Sequence, residues 1–111
     1  MIPYIDMHCD TLMRAYMDKK NDIFNLPENM LDVKRLQKGG ASAQFFAIFM
    51  LPESMREELQ EAFPKDWDYI EALLAIYNKT ITEHGESIGQ CIDLNSYLYN
   101  KRTGKMNAIL S

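Results

Sequence analysis

His8 and Asp10 stand two residues apart in Asp6-Met7-His8-Cys9-Asp10, where the extended run Ile2–Met7 gives out. On a strand, side chains at i and i+2 share a face, so an imidazole nitrogen and a carboxylate oxygen can converge on one point. That donor pair, with no obligatory thiolate, suits a hydrolytic zinc or a similar divalent ion. Two protein ligands fall short of the three or four a zinc site needs, so the spacing alone equally describes a hydrogen-bonded structural pair. Asp6 shares the predicted face. It can orient a metal-bound imidazole through the second ring nitrogen, or it can satisfy a buried amide. Cys9 should point the opposite way and pack.

The neighbourhood adds what the spacing lacks. Asp6-x-His8-x-Asp10-Thr11-Leu12 is followed by Asp32-x-x-Arg35-Leu36-x-x-Gly39-Gly40-Ala41-x-Ala43-Gln44-Phe45-Phe46. This ordered pair resembles the amino-terminal part of the membrane dipeptidase (renal dipeptidase) family of zinc peptidases. The resemblance continues through a long helix and a Gly-Lys turn into the apolar run Asn107–Ser111.

The resemblance implies a TIM-type (β/α)8 barrel whose active site lies at the carboxyl ends of its strands. It also implies two zinc ions, one ligated by His8 and Asp10, and a metal-bridging water that attacks the peptide carbonyl of a dipeptide. Gln44 matches a glutamine of the family pattern, which makes it a candidate for lining the barrel; an internal hydrogen bond is its other reading. The family's bridging glutamate follows the third strand, and the ligands of the second metal lie further on. No catalytic residue is therefore assigned within the chain, and the segment alone is expected to be inactive and to bind zinc weakly.

Length sets the frame for that expectation. The chain has 111 residues, enough for one domain, whereas a β/α barrel typically needs about 250. Residues 1–111 are therefore read as the amino-terminal segment of a barrel domain, with no second domain. The alternative is a freestanding, non-catalytic interaction domain derived from the barrel that buries its open faces by self-association. Either way, the expected partner is the remainder of the barrel or another copy of the chain.

Composition is that of a globular protein, with 47% apolar and 25% charged residues. A net charge of −4 and the lack of a Lys/Arg cluster argue against nucleic acid. No apolar run approaches membrane-spanning length, and Cys9 and Cys91 form no Cys-x-x-Cys pair. A cytoplasmic location without a membrane partner follows as the expectation.

The elements that must position the pair alternate between strand and helix. Ile2–His8 reads as a strand, Thr11–Met17 as a short helix capped by Asp10 or Thr11, and Asp18–Asn29 as a loop. Asp32 caps a helix ending at Lys38, with Gly39-Gly40 as its stop. Ala41–Leu51 is almost continuously apolar, as a buried strand would be. From Pro64, with Asp66 as N-cap, the residues Ile70, Leu73, Leu74, Tyr77 and Ile81 form a helical stripe ending at Gly85. Asp93 or Asn95 opens a further helix through Arg102, Gly104 stops it, and Lys105–Ser111 enters a third strand. Strands joined by helical crossovers imply a parallel sheet, here about three β/α units of a barrel.

Other polar residues take structural readings. His84 sits at a helix end, where its imidazole meets the negative pole of the dipole. Glu53, Glu57, Glu58 and Glu61, with Arg56 and Lys65 nearby, form a solvated face. Asp32 and Arg35 suit capping and an exposed ion pair. The eight methionines follow no metal-binding spacing.

Overall fold

The computed structural model describes residues 2–58 and 66–111, and the side chains of residues 56–58 are not described. Glu61, Pro64 and Lys65 thus lie outside the described residues, as do the side chains of Arg56, Glu57 and Glu58; Glu53 is exposed.

Four strands alternate with five helices among the described residues. They are β1 (Tyr4–Cys9), α1 (Thr11–Met17), α2 (Val33–Lys38), β2 (Ala41–Phe46), α3 (Glu53–Glu58), α4 (Asp66–Glu83), β3 (Ile88–Gln90), α5 (Leu94–Arg102) and β4 (Met106–Leu110). All pairings are parallel and the sheet order is β1-β2-β4-β3. The expected third strand is thus β4, and it lies beside β2 as a barrel sequence requires. The three-residue β3 is an addition that the apolar pattern did not announce. The expected strand Ala41–Leu51 stops at Phe46, with Phe49 exposed and Pro52 ahead of α3.

The order of the strands places the helices. From β2 the chain passes through α4 to β3, beyond the position β4 later takes, and α5 then brings it back. Right-handed crossovers running in opposite directions put α4 and α5 on opposite faces of the sheet. The packing agrees. Met106 and Ala108 join the core with Leu73 and Tyr77 of α4. Asn107 alternates with them and accepts a hydrogen bond from Asn100 of α5 at 2.9 Å. Gly89 lies beneath the same carboxamide, and any Cβ there would collide with Asn100.

α4 buries Tyr69, Leu73, Ile76, Tyr77 and Thr80, a stripe turned by about one residue from the expected one, with Ile70, Leu74 and Ile81 at its margin. Tyr77 anchors it to the sheet, donating to Ala108 O at 3.1 Å and meeting Phe46 edge-on. α5 begins with a capping box in which Asp93 and Ser96 satisfy each other's backbone amides, and Gly104 ends it at φ 76°.

Asp32 is the best satisfied carboxylate. Its Oδ1 accepts from Arg35 N and its Oδ2 from Leu26 N, both at 2.8 Å, while Arg35 Nη2 approaches Oδ2 to 3.1 Å. Arg35 also donates to the carbonyls of Leu26 and Asn29. The ion pair is therefore not the exposed one expected: Asp32 is 1% exposed because the loop before α2 folds over it. Burial pushes this carboxyl up, but the Arg35 guanidinium and the Arg35 and Leu26 amides outweigh it and hold it below the ordinary value of 3.8. A carboxylate with a lowered folded pKa stabilises above its unfolded value and loses that contribution as pH falls through the folded one. Replacing Asp32 with Ala should therefore cost about 1–3 kcal/mol at pH 7. The penalty should shrink below about pH 4, which urea unfolding at pH 7 and pH 3 will measure.

Candidate metal centre

Parallel pairing puts the carboxyl ends of β1, β2 and β4 on one side of the sheet, and His8 and Asp10 lie there. β1 does not run regularly to that end. Asp6 is in register with Gln44 and Cys9 with Phe46, so β1 accommodates one extra residue between them. Strict alternation fails across that irregularity. Cys9 turns into the core, where burial raises its thiol pKa, as packing rather than ligation requires.

Asp10 lies beyond the strand, at the N-cap position of α1 with φ −103° and ψ 28°, and its side chain makes no capping hydrogen bond. Its carboxylate turns to His8 instead, with His8 Nε2 and Asp10 Oδ1 3.1 Å apart. Two ligands of one tetrahedral zinc, each about 2.0–2.1 Å from the ion, sit roughly 3.3 Å from each other. The pair is thus spaced as two such donors are. The side chains are 56% and 42% exposed, so the pair stands at the surface with its two donor atoms bonded to each other. The convergence expected from strand geometry exists, but it is produced by a strand end and a helix start.

Asp6 and Gln44 form a separate pair. Gln44 Nε2 donates to Asp6 Oδ2 at 2.8 Å and to Phe45 O at 3.2 Å. Of the two readings of Asp6, the geometry shows the satisfied amide, and among the described residues His8 donates no hydrogen bond to it. Gln44 is wholly buried by this arrangement, and its Oε1 has no partner among the described residues. Tyr69 of α4 donates to Phe49 O at 2.8 Å. Its phenol is pushed up to about 12 by burial, with the charge of Asp10 adding to the shift.

A second group of potential donors was not visible in the sequence. Asp22, Glu83 and His84 each offer one ligand atom within 4.8 Å of the others. His84 Nε2 meets Asp22 Oδ2 at 2.7 Å, and its ring stacks on Phe24 at 4.0 Å. Lys79 takes Glu83 at 2.6 Å, and Phe24 N donates to Asp22 Oδ1 at 2.7 Å. These donors are engaged with one another, so the group fastens the loop after α1 to the end of α4. Sixty-two residues separate Asp22 from His84, and no local pattern signals the contact.

Parallel strands joined by helical crossovers, with an exposed His-x-Asp pair at their carboxyl end, are laid out as in part of a β/α barrel. The sequence pattern of the membrane dipeptidase family (peptidase family M19) matches residues 1–105, and the chain belongs to that family. Among solved structures it is similar to the crystal structure of dipeptidase AC, a metallopeptidase, with 22% identity and a TM-score of 0.61. That likeness shows the fold; it covers 98% of this chain and 34% of the other, so the chain spans about a third of that protein's length. No protein with a curated function matches the sequence.

Burial pushes the Asp22 carboxyl up, but the Phe24 amide and the His84 hydrogen bond and charge outweigh it, leaving it below 3.8. Asp22→Asn should thus destabilise the protein by about 1 kcal/mol at pH 7. The gap from the parent should close as the parent's carboxylate protonates below about pH 4, a comparison urea unfolding across pH 7 to 2 provides.

Proposed function

We propose that the complete protein is a zinc-dependent dipeptidase and that His8 and Asp10 hold one ion of a two-zinc site. The observation that carries this reading is the 3.1 Å approach of an exposed imidazole and an exposed carboxylate at the carboxyl end of β1, in a chain of this family. When bound, the zinc pair lowers the pKa of a water and polarises the substrate carbonyl. The chain's own contribution is narrower. His8 would supply an imidazole nitrogen and Asp10 a carboxylate oxygen, and the bulge before Cys9 sets their separation. Asp6, fixed by Gln44, places a further negative charge on β1. Free Cys9 and Cys91 accord with a reducing, cytoplasmic setting, which is part of this proposal. No helix among the described residues is long and apolar enough to cross a membrane.

His8→Ala removes a metal ligand, and the expected loss of dipeptide hydrolysis is at least about a hundredfold. Parent activity should vanish in chelator and return with zinc. A folded His8→Ala protein with full activity, or hydrolysis indifferent to chelator, would contradict the assignment.

A second reading, a non-catalytic domain that self-associates, draws support from exposed apolar residues on β1 and beside α5. Ile5 and Met7 are half or more exposed, as are Ile92 and Leu94, and β1 pairs on one side only. Both readings expect those surfaces to be covered, by the rest of a barrel or by another copy. The 111-residue chain in isolation should therefore self-associate in sedimentation equilibrium. A monomer that persists at high concentration and unfolds cooperatively would show that the chain closes its own core.

A further inference from the structure

Asp22, Glu83 and His84 lie at the other end of the sheet from His8 and Asp10. α4 leads into β3, and β3 is parallel to β4, so Glu83 and His84, a few residues ahead of Ile88, stand at the amino end of the strands. In a β/α barrel that end serves stability, and catalysis belongs to the opposite one. The three side chains each bring a ligand atom within 4.8 Å of the others. One imidazole and two carboxylates, without a thiolate, suit a divalent ion such as zinc, with water completing its coordination.

Two of the three donors are aimed by groups that are not themselves ligands. Asp22 Oδ1 accepts from Phe24 N at 2.7 Å, which leaves Oδ2 for His84 Nε2, also at 2.7 Å. The His84 ring lies flat on Phe24, with centroids 4.0 Å and planes 7° apart, and His84 N donates to Thr80 O. Contacts of this kind fix ligand orientation at metal sites. Glu83 then sets a second carboxylate beside that of Asp22, a like-charge approach that a shared cation relieves. Lys79 now takes Glu83 in a pair whose side chains are 39% and 49% exposed, and an exposed pair contributes too little to bar an ion. Asp22 and His84 keep 25% and 26% of their side-chain surface exposed, so solvent reaches the group.

We propose that Asp22, Glu83 and His84 form a second metal site, which takes a divalent ion of the zinc class and clamps the loop after α1 to the end of α4. The ligands are His84 Nε2 as neutral imidazole and one oxygen of each carboxylate. The ion replaces the hydrogen between His84 and Asp22, which separate by roughly 0.6 Å to reach the spacing of two ligands on one zinc. This site is structural, and its ion is additional to any that hydrolysis uses.

The test titrates the metal-stripped full-length protein with ZnCl2 by calorimetry at about pH 7, where unpaired histidine is largely neutral. The parent should take up one zinc equivalent more than His84→Gln. The same difference should appear when both proteins also carry His8→Ala, which separates this ion from one held at His8. Added ZnCl2 should raise the thermal midpoint less in His84→Gln than in the parent. Glutamine can still donate to Asp22, so a contact that is only a tether leaves zinc uptake unchanged. Glu83→Gln, at an exposed side chain, keeps the test decisive should the His84 variant not fold, and it should weaken the extra equivalent by about tenfold or more. Equal uptake and equal affinity in parent, His84→Gln and Glu83→Gln overturn the site and leave the dipeptidase reading standing. An extra equivalent that depends on Glu83 and His84 supports it whether or not the protein hydrolyses dipeptides.

Discussion

Pairing β1 to β2 with one extra residue held between Asp6 and Cys9 is the constraint on which the rest of the site depends. Without that residue, alternation would carry Asp6, His8 and Asp10 along one face and leave Asp6 beside the His8 ring. With it, Cys9 enters the core, Asp6 stays with Gln44, and the backbone leaves the strand early enough for Asp10 to turn back on His8. A bulge re-aims side chains at the cost of a local break in the ladder, and such breaks are common at functional rims. Here the next backbone bond, Ala47 N to Cys9 O at 3.1 Å, restores the ladder immediately.

The long loop between α1 and α2 is the other structural commitment. Backbone bonds from Val33 N and Lys34 N to Ile23 O and Phe24 O tie it to α2, and carboxylates add to them: Asp32 closes it at one end with Arg35, and Asp22 ties it to His84 just past α4. Thr80 adds a buried link, accepting from Ile23 N at 3.0 Å. These contacts fasten a polar segment to α2 and to the end of α4. They also make that segment sensitive to acid, because both carboxyls are held in the charged form by partners brought together only in the folded chain.

Much of this was legible because its causes are local. The helix from Asp32 to Lys38 is marked by its cap and by Gly39-Gly40, and α5 by Asp93 and Gly104, whereas Asp10 heads Thr11–Met17 without capping it. His8 and Asp10 stood out by type and spacing, and the family by its ordered motifs. What was hidden depends on distant partners. Three residues, Ile88–Gln90, carry too little pattern to declare a strand, and they become one only beside Met106–Ala108. The extra residue in β1 is defined by its register with β2, and the burial of Asp32 by a loop that covers it.

Anomalous scattering at the zinc edge from crystals of the zinc-loaded protein reads out whether His8 and Asp10 hold a metal ion. An anomalous peak is expected about 2.0–2.2 Å from His8 Nε2 and from an Asp10 carboxylate oxygen. A peak at Asp22, Glu83 and His84 instead, with His8 and Asp10 still bonded only to each other, would contradict it.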